Sequence, residues 1–381
     1  MSIIGIDASR ALSTAPTGTE AYSWHLIQAL VPLLCAKGYQ VRLYLRRDEG
    51  ELWQESQGRW SQSQVTLRTL YFPRLWTHVR LSWEMVQAPP DLLFVPAHVL
   101  PLLRPRRTLV TVHDLGYRVF PQAHPRLQRW YLELSTRWNV SVASHVLVDS
   151  RATRDAVMAA YGISSEKITI VYPGYASDLA PIRDSQQRAG VRQRYGIPGP
   201  YILFLGRIQP RKNLVRLIDA FAQIAPTYPQ LVLVLAGPQG WLTRPIVDRV
   251  QAHGLTRRVL FPGYVATEDK AALISGAEVF AYPSLYEGFG FPVLEAQACG
   301  VPLLTSATSS LPEVAGDGAL LVDPTDTEAI AAGLCRLLED RTLREALVAR
   351  GFANLRRFSW ERAARQVQEI IACLAGVGDA L

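Results

Sequence analysis

Four cysteines in 381 residues, none of them in a C-x-x-C pair, leave no basis for a disulfide framework or a zinc ribbon. Cys35, Cys299, Cys335 and Cys373 are scattered, and they are expected to be small core side chains in a reduced, cytoplasmic protein. Long apolar runs are missing too. Nothing approaches the roughly 18–20 residues of a membrane span, and the nearest stretch, Leu26 to Ala36, is interrupted by Gln28 and Pro32. The opening Met1-Ser2-Ile3-Ile4-Gly5-Ile6-Asp7 carries no basic segment ahead of its apolar residues, so a short buried strand is expected there rather than a secretion signal. Charged residues make up only 19% against 49% hydrophobic, which excludes a largely disordered chain. There is no long basic run, zinc ligand set or RNP-type aromatic motif, so nucleic acid is not an expected partner. The net charge of +7, of which +5 falls in residues 1–180, suits phosphorylated small molecules or acidic lipid headgroups instead. No Asp-x-Asp occurs, so no divalent-metal diphosphate site is indicated and no cofactor is expected. No G-x-G-x-x-G follows the first strand, which argues against a dinucleotide oxidoreductase.

What the chain does have is a repeated alternation of short β-branched runs with helix-length segments. Its length favours two domains of about 150–200 residues. The first series of expected strands is Ile3–Asp7, Val41–Leu45, Leu92–Val95, Leu109–Val112, His145–Val148 and Ile168–Val171. A second series follows at Tyr201–Leu205, Leu231–Ala236, Val259–Phe261, Val279–Tyr282, Pro302–Thr305 and Leu320–Val322. Uniformly apolar strands separated by helices imply parallel sheets covered on both faces. The fold class is therefore α/β with two doubly wound domains. The join is expected between Gly174 and Pro200, where Asp178 to Gly190 is mostly polar without a strong period, and Gly196-Ile197-Pro198-Gly199-Pro200 punctuates the restart. Boundaries of 1–178 and 179–358 follow. Residues 359–381 add an amphipathic helix, with Ala363, Ala364, Val367, Ile370, Ile371 and Leu374 at helical spacing, free in sequence terms to cross back to the first domain.

The most informative stretch is Ser284-Leu285-Tyr286-Glu287-Gly288-Phe289-Gly290-Phe291-Pro292-Val293-Leu294-Glu295-Ala296. It follows a strand and enters a helix with Pro292 in the first turn, a favoured place for proline. In parallel α/β sheets ligands bind beyond the carboxyl ends of strands. Gly288 and Gly290 let backbone N–H groups approach a ligand, and a helix N-terminus favours phosphate. Glu287 and Glu295 can accept hydrogen bonds from hydroxyl pairs at the two ends of one ligand, as a sugar nucleotide offers. Either glutamate taken singly is equally an ordinary carboxylate near a helix start. A second constellation is Gly206-Arg207-Ile208-Gln209-Pro210-Arg211-Lys212-Asn213 after the strand Tyr201–Leu205. Arg207 and Lys212 there suit a diphosphate leaving group, and they suit a solvated surface turn as well.

These runs resemble the family 4 glycosyltransferases, retaining enzymes of the GT-B fold with two Rossmann-like domains facing a central cleft. The resemblance rests on Gly206-Arg207…Lys212-Asn213, on Glu287 through Glu295, on Pro312-Glu313-Val314 and on Asp323-Pro324. Val95-Pro96-Ala97-His98 and His113-Asp114-Leu115 are similar to bacterial, mannosyltransferase-like members that assemble glycans. It implies that Glu287 contacts the transferred sugar with help from the N–H groups of Gly288, Phe289 and Gly290, and that Glu295 holds the ribose. Val293 and Leu294 belong to the same donor-binding run. Arg207 and Lys212 would neutralise the diphosphate, and the backbone at Tyr264-Val265 would flank the base. Gly18, in Thr17-Gly18-Thr19-Glu20, sits where members carry a longer glycine loop, with Glu20 here in place of one glycine. His113 matches the family histidine that reaches the donor sugar. On its own residues, the His113-Asp114 pair can also be structural, with Asp114 capping the next turn. His25, His98, His124 and His145 show no metal spacing and are expected in the core or on the surface.

The expected reaction is metal-independent, retaining hexosyl transfer from a nucleotide-diphosphate sugar, GDP-mannose first and a UDP-hexose next, with His113, Glu287, Arg207 and Lys212 as catalytic groups. The acceptor is expected to be a glycan or a polyprenyl-diphosphate-linked glycan. Arg68 to Trp83, with Leu70, Tyr71, Phe72, Leu75 and Trp76 among Arg74 and Arg80, suits peripheral contact at the inner face of a membrane or packing on its own domain. A sugar-nucleotide epimerase of the same fold and a non-catalytic sugar-nucleotide-binding subunit are the alternatives.

Overall fold

The computed structural model describes residues 2–11, 18–46, 63–72, 75–97, 99–123, 125–176 and 178–376. His98, His124, Arg74 and Thr17 lie outside the described residues. The chain divides into two compact units. One comprises Met1–Arg118, Pro125–Gly174 and Phe358–Leu381; the other comprises Val119–His124 and Tyr175–Arg357.

The first unit holds, in chain order, β1 (Ile3–Asp7), α1 (Gly18–Ala36), β2 (Gln40–Leu45), β3 (Val65–Thr69), α2 (Ser82–Gln87), β4 (Leu92–Val95), β5 (Arg107–Val112), α3 (Gly116–Val119), α4 (Arg126–Val142), β6 (His145–Val148), α5 (Arg151–Tyr161) and β7 (Ile168–Ile170). Its seven-stranded sheet runs β3-β2-β1-β4-β5-β6-β7, and Ile4 pairs with Val41 on one side and Leu92 on the other, both in parallel. Strands such as Leu92-Leu93-Phe94-Val95 are buried throughout, because helices cover both faces. β3 was not among the expected strands. Its burial alternates along Val65-Thr66-Leu67-Arg68-Thr69 at the sheet edge, so it lacks the continuous apolar run of the central strands.

The second unit holds α6 (Ser185–Arg194), β8 (Tyr201–Leu205), α7 (Leu214–Ile224), β9 (Val232–Ala236), α8 (Arg244–Ala252), β10 (Val259–Gly263), α9 (Thr267–Ser275), β11 (Val279–Tyr282), α10 (Phe291–Ala298), β12 (Leu303–Ser306), α11 (Leu311–Ala315), β13 (Leu320–Val322), α12 (Thr327–Glu339) and α13 (Arg341–Leu355). Its sheet order is β10-β9-β8-β11-β12-β13. Where the sequence expects an aperiodic polar stretch, α6 forms. The Asp184 carboxylate accepts the Gln186 N–H at 2.8 Å and caps it, while Val191 is its one buried side chain, so there was no apolar stripe to read.

The last helix, α14 (Trp360–Ala375), belongs to the first unit and packs along α1. Ala363, Ala364, Val367 and Ile371 are its fully buried residues. Trp360 stacks on His25 with ring centroids 5.4 Å apart and meets Tyr22 edge-on. Gly174 has to be small there, since a Cβ would stand 2.4 Å from the Trp360 nitrogen. All four cysteines are free; Cys299 is buried, but Cys373 is exposed and Cys35 and Cys335 are only partly covered, which corrects their expected place in the core.

Candidate functional site

In each sheet the chain reverses its direction of strand addition once, between β1 and β4 in the first unit and between β8 and β11 in the second. Loops leaving neighbouring strands in opposite senses open a crevice at such a point. In the second unit those loops are the two runs singled out in the sequence.

β8 ends at Leu205, and from Gly206 the chain turns through a 3-10 turn, Pro210–Lys212, to Asn213 with φ of 62°. Gly237 must be glycine, because a Cβ would lie 2.1 Å from the Gly206 carbonyl oxygen. Asn213 ties the turn down by donating from Nδ2 to the Pro283 carbonyl at 3.0 Å and the Pro324 carbonyl at 2.6 Å. The Leu285 N–H donates to the Arg211 carbonyl at 2.9 Å. The β8 and β11 loops are thus held as one piece.

At their junction Glu287 is buried with two cations. Lys212 Nζ donates to Glu287 Oε1 at 2.5 Å, and Arg211 donates to Oε2 at 2.9 Å. Lys212 also donates to the Tyr282 hydroxyl, which in turn donates to Glu287 Oε1 at 3.1 Å. Burial by itself would raise the Glu287 pKa, but the Arg211 guanidinium and Lys212 ammonium outweigh it and hold the carboxyl at about 2. Glu287 is therefore an obligate acceptor at neutral pH and no general acid. Burial and the same carboxylate push the Tyr282 phenol well above its ordinary range.

The loop beyond Glu287 is clamped from behind. The Glu287 N–H donates to Ser309 Oγ at 2.9 Å, while the Ser310 hydroxyl reaches the carbonyls of Glu287 and Phe289 at 2.9 and 2.8 Å. Gly290 caps α10 at φ of 109°, where an added Cβ would meet Leu311 at 2.8 Å. The Val293 and Leu294 side chains are fully buried in the core, and the Val293 N–H is already used by the Gly290 carbonyl at 3.0 Å. These side chains pack the helix that carries the loop. Glu295, a turn into α10, is ion-paired to Lys270 at 2.5 Å. Tyr264 and Val265 follow β10, the first exposed and the second buried. Arg207, partly buried, has no ion-pair partner among the described residues.

The first unit brings together a different set. His113 sits just past β5, and its Nδ1 lies 2.6 Å from Asp149 Oδ2, while its Nε2 lies 2.9 Å from the Pro96 carbonyl. Three adjacent strands, β4, β5 and β6, each supply one of these groups at their carboxyl ends. Burial disfavours the imidazolium, but the Asp149 charge and hydrogen bond and the Pro96 carbonyl outweigh it, so the His113 pKa is raised. Burial also pushes Asp149 up against the pull of His113. Asp114 does not pair with His113; its carboxylate accepts the Gly116 N–H at 2.8 Å and closes a turn. At the β1 end Asp7 is buried, one oxygen taking the Ser9 N–H at 3.0 Å, and burial raises its pKa to about 6. Gly18 is the exposed first residue of α1. His145 meets Thr169 Oγ1 at 2.8 Å.

Residues 16–179 match the family described as Glycosyltransferase Family 4, and residues 190–353 match Glycosyl transferases group 1. The O-antigen chain mannosyltransferase B of Escherichia coli is 34% identical over 293 residues, covering 75% of this chain and 75% of that one. The chain is a family 4 glycosyltransferase. The D-inositol 3-phosphate glycosyltransferase of Salinispora tropica is 32% identical over 289 residues, 71% of this chain and 58% of that protein. Against the serotype-specific mannosyltransferase WbdA of Escherichia coli the match is 29% over 269 residues, and it spans only 32% of that longer protein. Among solved structures, Anabaena HepE with UDP and glucose has a TM-score of 0.75 at 20% identity, covering 98% of this chain and 99% of that one. The sucrose-phosphate synthase of Thermosynechococcus elongatus has a TM-score of 0.76 at 22% identity, covering 99% and 100%. The fold is GT-B.

For a family 4 glycosyltransferase the arrangement has three partners that the sequence reading did not find: Arg211 on Glu287, Lys270 on Glu295 and Asp149 on His113. Arg211 stood next to Lys212 in a run of cations, where nothing in the order of residues says which one turns inward. Lys270 opens no motif and reaches Glu295 from α9. Asp149 had one available signal: an acidic residue at the end of β6, the strand beside the one that ends in His113. Among the described residues no cluster of His, Cys, Asp and Glu could hold a metal ion, and no helix is long and apolar enough to cross a membrane.

Proposed function

We propose that this glycosyltransferase transfers a hexose, mannose from GDP-mannose in the first instance, to a glycan carried on a polyprenyl diphosphate, with retention at the anomeric carbon and without a divalent metal. The observation that carries the reading is the buried Glu287 carboxylate ion-paired to Lys212 and Arg211 where β8 and β11 diverge. A diphosphate entering this crevice would be neutralised by Arg207 and Lys212, and its charge competes with Glu287 for Lys212. As the ammonium turns to the leaving phosphate, Glu287 Oε1 is released to accept a hydroxyl of the sugar. The cations then stabilise the charge that develops on the departing diphosphate, and a phosphate oxygen takes the acceptor proton on the same face of the sugar. Glu295 accepts from the ribose hydroxyls, and the backbone at Tyr264-Val265 borders the base. His113, held by Asp149 and the Pro96 carbonyl, is the catalytic group of the first unit. The mannosyltransferase relatives support the choice of sugar, and the O-antigen relative supports a glycan acceptor. Because the lipid carrier is membrane-bound, the enzyme works in peripheral contact with the cytoplasmic face of a membrane.

The test is a thermal-shift panel of nucleotide sugars followed by transfer assays with and without EDTA. The largest stabilisation is expected with GDP-mannose, since a ligand that binds only the folded state stabilises by mass action. Transfer is expected to survive EDTA and to give a product of the donor's anomeric configuration. Consumption of donor without any added acceptor would instead favour an epimerase and sink the proposal.

A further inference from the structure

Two stripes of large apolar side chains in the first unit face solvent side by side. Helix α4 carries Leu127, Trp130, Tyr131 and Leu134, at i, i+3, i+4 and i+7, along one outer face. Leu127 is 86% exposed, Trp130 62% and Leu134 59%. The same helix buries Ser135, Asn139 and Val140 on its inner face, so the outer stripe is additional to the one that packs. The second stripe runs through Leu75, Val79, Trp83 and Val86, along a π-helical turn, Thr77–Leu81, and into α2. Leu75 is 66% exposed and held at φ of 55°, and Trp83 is 55% exposed. Its inner anchor is Trp76, buried and donating to the Leu70 carbonyl at 2.6 Å. That corrects part of the expectation for this segment: Leu70, Trp76 and Leu81 are core, while Tyr71, Phe72, Leu75 and Trp83 face outward. The two stripes meet where His78 Nε2 lies 3.1 Å from the Tyr131 hydroxyl.

Among the described residues of these two segments, both carboxylates are paired and the exposed charges at the edge of the α4 stripe are arginines. At about 100° per residue, Arg126 and Arg137 fall along one edge of the α4 stripe, and both are exposed. The one carboxylate of α4, Glu133, is engaged on both oxygens by Arg118, at 2.6 and 2.5 Å. Beside the second stripe, Glu84 is buried and neutralised by Arg68 and Arg80, at 3.3 and 3.1 Å. Among the described residues of the two segments, what faces outward is therefore Trp, Tyr, Leu and Val with arginines at one edge and no unpaired carboxylate. Soluble proteins rarely leave so much contiguous apolar surface without an occupant. Aromatic rings with a cationic rim fit the headgroup boundary of an anionic bilayer, where rings sit among the acyl ends and guanidinium groups meet phosphates.

We propose that the outer face of α4, together with the Leu75–Val86 stripe, is the surface by which this enzyme docks on an anionic membrane. The assignment rests on the peripheral-membrane part of the proposed function and not on its donor chemistry.

The test uses the full chain and vesicles of neutral lipid, or of neutral lipid with anionic phosphatidylglycerol, at low and high salt. The wild type is expected to co-sediment with the anionic vesicles and to be released by salt. The triple variant Leu127→Ser, Trp130→Ser, Leu134→Ser should bind at least about tenfold less, because it removes most of the exposed apolar area of the stripe. Arg126→Glu with Arg137→Glu should weaken binding to anionic vesicles by at least about fivefold per arginine and leave any neutral-vesicle binding unchanged. Both variants should keep the wild-type melting temperature and the wild-type shift with a nucleoside diphosphate, since every altered side chain is exposed. Failure of the wild type to bind anionic vesicles would overturn membrane contact itself. Wild-type binding that both variants retain would overturn this face while leaving membrane contact standing. A dimer in solution that the triple variant dissolves would assign the face to a second copy of the chain and also overturn the proposal.

Discussion

Lys212 and Arg211 grip opposite oxygens of the Glu287 carboxylate, at 2.5 and 2.9 Å, so one buried anion holds two cations in the crevice of the second sheet. Removing either side of such a pair leaves charge uncompensated. Glu287→Ala should lower stability by about 3–5 kcal/mol and reduce transfer at least about a hundredfold. A nucleoside diphosphate, by supplying the missing negative charge, should shift the melting temperature of that variant more than it shifts the wild type. Lys212→Ala should show the same loss of transfer with a smaller ligand-induced shift. A well-folded Glu287→Ala enzyme with near-normal turnover contradicts the assignment.

The same carboxylate sets an acid limit. Its pKa falls from 4.5 to about 2 on folding, so the folded state binds fewer protons than the unfolded one between those values. The stabilisation is complete above pH 4.5 and disappears as the pH drops towards 2, an amount of about 3 kcal/mol. Glu287→Gln should flatten this part of the stability–pH curve in denaturant titrations, and an unchanged slope would contradict it.

Asp7 works in the opposite sense. Burial raises it from 3.8 to about 6, so the folded state retains a proton that the unfolded state has lost. Its own contribution to stability is greatest below pH 3.8 and declines as the pH rises through 6. Asp7→Asn keeps an oxygen for the Ser9 N–H and removes the ionisation. Its stability relative to the wild type should therefore improve by about 2–3 kcal/mol between pH 4 and pH 7. Parallel curves for the two proteins would contradict the burial of a titrating carboxyl.

His113 titrates above 6.5 because acceptors face both ring nitrogens. The stability this provides is present below pH 6.5 and is lost as the pH rises through the folded pKa. Asp149→Asn removes the charge and leaves burial as the dominant influence, which should bring the His113 pKa below 6.5 in an NMR titration. A value that stays high would show that the Pro96 carbonyl suffices.

Gly290→Ala puts a side chain at φ of 109° and against Leu311. A loss of about 1–3 kcal/mol is expected, along with weaker donor binding, measured by unfolding and by thermal shift. Leu311→Ala in addition should relieve the clash but not the backbone strain, so recovery should be partial.

The strand cores were readable because β4 and β8 are apolar at every position, which only a sheet covered on both faces allows. β3 and α6 escaped for one reason: an edge strand and a helix with one buried residue put few apolar side chains inside, and periodicity is a record of burial. In the site, Glu287 and Lys212 stood out by their spacing from glycines and strand ends. That they are each other's partners did not, since 75 residues separate them. Spacing along the chain specifies which strand end a group occupies, whereas ion pairing depends on side-chain direction across two loops. The same limit hid Asp149, 36 residues from His113.

The return of α14 to the first unit also sets an order of manufacture. A ribosome has released all of Tyr175–Arg357 before Trp360 appears, so the second unit can fold while the first is still missing a wall. Until Ala363, Ala364, Val367 and Ile371 arrive, the side of α1 that they cover stays open to solvent and to chaperones. The half of the enzyme that is translated first is therefore the half that is finished last.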